Sequence, residues 1–194
     1  MLLPIEAYGS SALRKVGEEV PEDYPQLQEL IDNMLETMYN APGVGLAAPQ
    51  LNLALRLFVI DSTQFYDEED EEETEEKGLK EVFINPEIIE KYGEDTFYEE
   101  GCLSIPGIRE QIVRPSQIHI QYYDRDFNFH DEQFEGLDAR VIQHEYDHIN
   151  GVLFTDHLKP IKKRTLQKSL NEISQGKVKV QYKMRFPKQQ KKRV

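Results

Sequence analysis

The chain has very little cysteine and no long apolar run, and both shortages exclude something. Of its 194 residues only Cys102 is a cysteine, so no intramolecular disulfide can form, which fits a reducing compartment. No window approaches the roughly 18 consecutive apolar residues of a membrane span, and no membrane partner is expected. The opening stretch MLLPIEAYGSSALRKVGEEV lacks a long apolar core and carries acids early, unlike a secretory or transit peptide. The chain therefore reads as a soluble, cytoplasmic protein. There is no internal repeat and no strand–helix–strand alternation, which removes solenoids and parallel α/β folds.

Charge is plentiful but unevenly placed. The net charge is −13, yet the run Asp67 to Glu76 (DEEDEEETEE) holds nine carboxylates and no base. Without it the remainder stands at −4. Such a block repels itself and offers no apolar face, so residues 67–78 are expected to form a solvated, disordered loop. From Lys159 to Val194 thirteen Lys and Arg face one acid, Glu172. That +12 segment suits a polyanion, ribosomal RNA near the exit of nascent chains rather than DNA, with a merely solubilising tail as the plainer alternative.

Periodicity supplies the elements. Leu27, Leu30, Ile31, Met34, Leu35 and Met38 fall on one helical face, ended by Ala41-Pro42-Gly43. The blocks Leu55 to Asp61 and Glu81 to Ile84 read as strands, the second closed by Asn85-Pro86. Ile118, Ile120 and Tyr122 alternate with polar neighbours, as in a half-buried strand. Helical patterning returns from Leu137 to Ile149, stopped by Asn150-Gly151, and from Pro160 to Ser174, stopped by Gly176. Val178 to Phe186 alternate as a strand with one basic face. The expected fold is α+β: antiparallel sheets packed around a central helix, with an N-terminal and a C-terminal helix. Residues 1–176 form one catalytic domain, and residues 177–194 a basic extension.

The chemistry concentrates in QHEYDHINGVLF, residues 143–154. His144-Glu145-x-x-His148 sets two imidazoles one helical turn apart, where both can reach a single divalent ion, and Glu145 beside them can act on a metal-bound water. Two solvated histidines on a charged helix would be the plain alternative. The apolar flanks Val141-Ile142 and Val152-Leu153-Phe154 instead bury this helix. A catalytic site needs a third ligand and an open position. A metzincin would place histidine where Phe154 stands, which closes that route. A thermolysin-like zinc endopeptidase would use Glu172, although Lys168 at i−4 gives that residue a solvated role. Cys102, in Glu99-Glu100-Gly101-Cys102-Leu103-Ser104, is the third candidate. A lone cysteine is usually inert filler, but this one sits at a glycine-marked loop or strand edge where a side chain can be aimed.

Three separated segments then resemble one family, the peptide deformylases of bacterial type. They are Gly43-Val44-Gly45-Leu46-Ala47-Ala48-Pro49-Gln50, Glu100-Gly101-Cys102-Leu103-Ser104 and Gln143-His144-Glu145-Tyr146-Asp147-His148. The resemblance implies removal of the formyl group from the N-terminal formyl-methionine of new polypeptides. It implies Cys102, His144 and His148 as metal ligands and Glu145 as the base that later returns its proton to the leaving amine. It also implies Gln50 and the Leu103 N–H as oxyanion donors, and pairing of the Gly45 N–H with the substrate backbone. Val44, Leu137 and Val141 are candidates for the methionine pocket, Tyr98 for its lining and Arg109 for its rim, although Arg109 could equally pair with Glu99 or Glu100. Arg114 is expected to be structural. Thiolate and imidazole ligands suit zinc. The family resemblance implies Fe2+ in the cell, with Zn2+, Ni2+ or Co2+ in purified protein.

Overall fold

The computed structural model describes residues 1–65 and 78–187, so the acidic run Asp67 to Glu76 lies outside the described residues. Strand β1 (Ile5–Glu6) is followed by helix α1 (Leu27–Asn40), β2 (Gly45–Ala47), β3 (Leu57–Asp61), β4 (Lys80–Cys102) and β5 (Ile105–Tyr123). Strand β6 (Phe129–Glu135), helix α2 (Gly136–Ile149), helix α3 (Pro160–Ser174) and β7 (Met184–Arg185) complete the order. Five strands form one antiparallel sheet in the order β2-β3-β4-β5-β6. The small remaining sheet, β1 with β7, is parallel, where only antiparallel pairing was expected.

The continuous apolar run of β3 has a physical cause: both faces of the sheet are covered. Leu57 and Val59 pack with Leu27, Ile31, Met34 and Met38 of α1. Phe58 and Ile60 point the other way, into a cluster with Ala139, Ile142 and Ile149 of α2. Alternate residues of one strand thus serve two helices, the period of two that a pleated strand imposes. A third cluster joins Ile105, Ile108 and Ile112 of β5 to Leu153, Phe154, Leu170 and Ile173. It seats α3 and fixes the far end of α2.

Strand β4 does not stop at Asn85-Pro86. Asn85 takes φ 51°, a left-handed conformation that asparagine tolerates. Its side-chain oxygen accepts from the Val20 N–H at 2.8 Å, and its amide donates to the Val20 carbonyl at 2.9 Å. A register shift follows between Ile84 and Glu87, so the breaker makes a bulge and the strand continues.

The alternation from Val178 to Phe186 predicts a strand, and only Met184–Arg185 forms one. The pattern still identifies which side chains face the protein: Val178, Met184 and Phe186 pack on the third cluster, and Tyr182 packs on the first. The ladder is short because its partner, β1, offers just two residues.

Candidate metal centre

Helix α2 is buried on almost every side. His144, Glu145 and His148 are 9%, 4% and 1% exposed, so the two imidazoles face protein rather than water. Their ring centroids lie 5.1 Å apart, as the one-turn spacing requires. Cys102 is the last residue of β4, just before the two-residue turn Leu103-Ser104 that leads into β5. This turn carries the thiol to the helix, with Sγ 3.2 Å from His148 Nε2. One donor atom each from Cys102, His144 and His148 lies within 4.8 Å of the others. Glu172, the endopeptidase alternative, is not in this cluster. Phe154, which stands where a metzincin has histidine, instead stacks on the His144 ring at 6.2 Å.

A carboxylate directs the first imidazole. Glu100 Oε2 lies 3.0 Å from His144 Nδ1, which leaves Nε2 as the ring atom for the centre. Glu100 is itself held by Arg114 through two bonds of 2.7 and 3.0 Å and by Arg140 at 3.1 Å. The same Arg114 reaches Asp147 Oδ2 at 2.7 Å, and Asp147 also meets His157 Nε2 at 2.7 Å. Burial alone would raise the Glu100 carboxyl; His144 and Arg114 outweigh it and hold the pKa well below the usual carboxylate range. Arg114 is thus structural, as expected, but its place is directly behind the ligands. Arg109 is exposed, lies beside Gly101 and forms no ion pair among the described residues.

The titratable groups suit a cation. Burial pushes the Cys102 thiol up, but the imidazoles of His148 and His144 more than reverse this and bring it to about 5, so the thiolate form prevails at neutral pH. Burial lifts the Glu145 carboxyl to about 7 against the opposing pull of His144 and His148. A carboxyl poised there can both take and give a proton near neutrality. Glu145 Oε2 is buried and has no hydrogen-bond partner among the described residues. A buried carboxylate oxygen without a partner is costly, and a water proton at the centre would satisfy it. A soft thiolate, two imidazoles and this open carboxylate fit a divalent ion with one coordination position left for water.

Two neighbours complete the geometry. Gln50 accepts from the Ala47 N–H at 2.8 Å through Oε1, which fixes the orientation of the amide. Its Nε2 is thereby turned toward Cys102 Sγ at 3.6 Å and Ser104 Oγ at 3.3 Å. Gly45 lies against Glu145: a Cβ there would come within 2.4 Å of Oε1. β2 is an edge strand. The Asp61 N–H bonds the Val44 carbonyl at 2.8 Å, so Val44 and Asp61 are a hydrogen-bonded pair and Gly45, the next residue, turns its N–H outward.

A cavity of about 760 Å³ opens onto these groups, lined by Gly45, Gln50, Cys102, Leu103, His144 and Glu145. Val44, Tyr98, Arg109, Leu137 and Val141 line it as well, so every substrate candidate read from the sequence faces this one space. Glu100, Arg140 and Ser104 were not singled out. Two spacings point to the first two: Glu100 lies two residues before Cys102 on one strand face, and Arg140 four before His144 on one helix face.

A thiolate and two imidazoles converging beside an open carboxylate define a metal-dependent hydrolase. The profile of one such family, described as polypeptide deformylase, matches residues 2–164. The chain belongs to this family, whose members remove the formyl group from the N-terminal methionine of polypeptides. It is 54% identical to the peptide deformylase of Christiangramia forsetii over the whole of both chains. It is 53% identical to that of Flavobacterium johnsoniae over 96% of each. Among solved structures, the peptide deformylase of Legionella pneumophila is 37% identical with a TM-score of 0.78, covering 91% of this chain and 98% of that one. Among the described residues no helix is long and apolar enough to cross a membrane.

Proposed function

We propose that the chain deformylates N-formyl-methionyl peptides with one divalent ion held by Cys102, His144 and His148. The observation that carries this reading is the convergence of those three donor atoms beside the unpartnered Glu145 oxygen. When bound there, the ion acidifies a water molecule and polarises the formyl carbonyl. Glu145 takes the proton of the attacking water and delivers it to the departing amine, which leaves as the free N-terminus. As the formyl carbon becomes tetrahedral, the Gln50 amide and the Leu103 N–H donate to its oxygen, each worth about 3 kcal/mol in the transition state. The Gly45 N–H receives the substrate backbone as an added strand on the open edge of β2. Val44, Leu137 and Val141 enclose the methionine side chain, with Tyr98 lining the same pocket and Arg109 at its rim.

Fe2+ is the ion proposed for this site in the cytoplasm; it and the Cys102 thiolate that would hold it are both oxidisable groups, so oxygen sensitivity would follow. Anaerobic purification followed by elemental analysis tests this: iron with full activity is expected, and zinc alone with full activity would contradict it. The reaction is tested by formate release from a formyl-methionyl tripeptide. Glu145→Ala is expected to lose about 10²- to 10⁴-fold in kcat, the usual worth of a positioned acid–base group. Cleavage of casein by the wild-type protein would instead favour an endopeptidase.

A second reading is supported by α3, where Lys162, Arg164 and Lys168 are exposed and join the basic sequence that follows. This surface meets ribosomal RNA where formylated chains emerge. Replacing the three by glutamine should reduce co-sedimentation with ribosomes at low salt and spare turnover of a tripeptide; unchanged sedimentation removes the idea.

A further inference from the structure

The turn Leu103-Ser104 ends the strand that carries Cys102 and bears the proposed oxyanion N–H, yet its two carbonyls are not held by its own hairpin. The Ser104 carbonyl accepts from the Tyr8 backbone N–H at 2.8 Å. The Leu103 carbonyl accepts from the Tyr182 hydroxyl at 2.8 Å. Both donors belong to the β1–β7 unit: Tyr8 follows β1, and Tyr182 precedes β7. Tyr182 has little freedom. The next carbonyl, of Lys183, accepts from the Ile5 N–H at 2.9 Å, and that of Arg185 from the Ala7 N–H at 2.8 Å. The Tyr182 ring packs in the apolar cluster that also receives the Leu103 side chain, and it lines the catalytic cavity.

We propose that Tyr182 is a positioning residue for the reaction: its hydroxyl fixes the Leu103 carbonyl and so keeps the Leu103 N–H aimed into the cavity. Residues 177–187 are then a working part of the catalytic unit rather than an appendage to it. An apolar side chain at 182 could cover the turn; the tyrosine ring also brings a donor to that carbonyl. The sequence places residues 177–194, a basic extension, outside the core that the family resemblance covers. Tyr182 of that stretch nevertheless lines the cleft, while Val178, Met184 and Phe186 pack on the third apolar cluster.

The inference rests on Leu103 serving as an oxyanion donor, so its test includes Gln50→Ala as a control on that reading. Tyr182→Phe removes one oxygen and keeps the ring. It is expected to lower kcat on a formyl-methionyl tripeptide about five- to tenfold with little change in KM, the loss of one positioning hydrogen bond. Metal content should stay at the wild-type value, and the melting midpoint should fall by no more than about 2–4 °C, the worth of one hydrogen bond in a domain of this size. Hydrogen exchange in fragments spanning Cys102 to Ile105 should quicken. A kcat equal to wild type, or a raised KM at unchanged kcat, would overturn the proposal, since the ring would then only line the cavity. If Gln50→Ala retains full activity, the oxyanion reading fails and this inference with it. If Gln50→Ala is slow and Tyr182→Phe is not, only the role of Tyr182 fails.

Discussion

Gln50 is polar, 1% exposed, and turned by the Ala47 N–H so that its amide donor faces the centre. An amide oriented in advance costs nothing to reorganise when negative charge appears in the transition state. Gln50→Ala is therefore expected to lower kcat and kcat/KM together by about 10²- to 10³-fold, with metal content unchanged. A change confined to KM would mean that Gln50 only binds the ground state. Gly45 shows how one residue can be legible for an incomplete reason. The sequence suggests that a side chain is missing there so that a substrate can approach; the structure adds that Glu145 packs against the same spot. No spacing rule connects residues a hundred positions apart, so that contact could only come from the fold.

At the scale of elements, legibility follows burial. The three helices are readable because each has an apolar stripe and a stop, and β3 because burial of both its faces against helices leaves a continuous apolar run. The outer arms of β4 and β5 are not. From Lys91 to Glu99 most side chains of β4 are exposed on both faces, so no alternation of two appears to mark a strand. Strand β6 (FHDEQFE) is similarly solvated. Asn85-Pro86 looked like an end because its pairing with Val20 across 65 positions is invisible locally. Arg114 ties these elements together, joining Glu100 of β4 to Asp147 of α2 from its own place on β5. Arg114→Met leaves two buried carboxylates without their main partner. The expected cost is about 3–5 kcal/mol, read as a lower urea midpoint together with weaker metal retention. A stability within about 0.5 kcal/mol of wild type, the range of ordinary surface substitutions, would mean that the network contributes nothing net.

At the scale of the whole molecule, the ligands come from distant parts of the chain: Cys102 from the tip of a long hairpin, and two imidazoles from a helix that begins thirty-four residues later. Neither part makes a site alone. The sheet brings them together by burying α2 against one face, while Tyr8 and Tyr182, on either side of the β1–β7 pairing, bond the hairpin tip. The three candidate metal ligands, which the fold brings together, were legible because their motifs are short and chemically distinctive. The support from Glu100 and Tyr182 was not, and Arg114 was legible only as structural, because common residue types acquire such roles through contact. The central claim is that Cys102 completes the metal centre on which deformylation depends. It is tested most directly by measuring metal per chain and formate release side by side for wild type and Cys102→Ser, both purified without oxygen. About one ion per wild-type chain is expected, with loss of both ion and activity in the variant. A serine variant that kept its ion and its full rate would contradict the account.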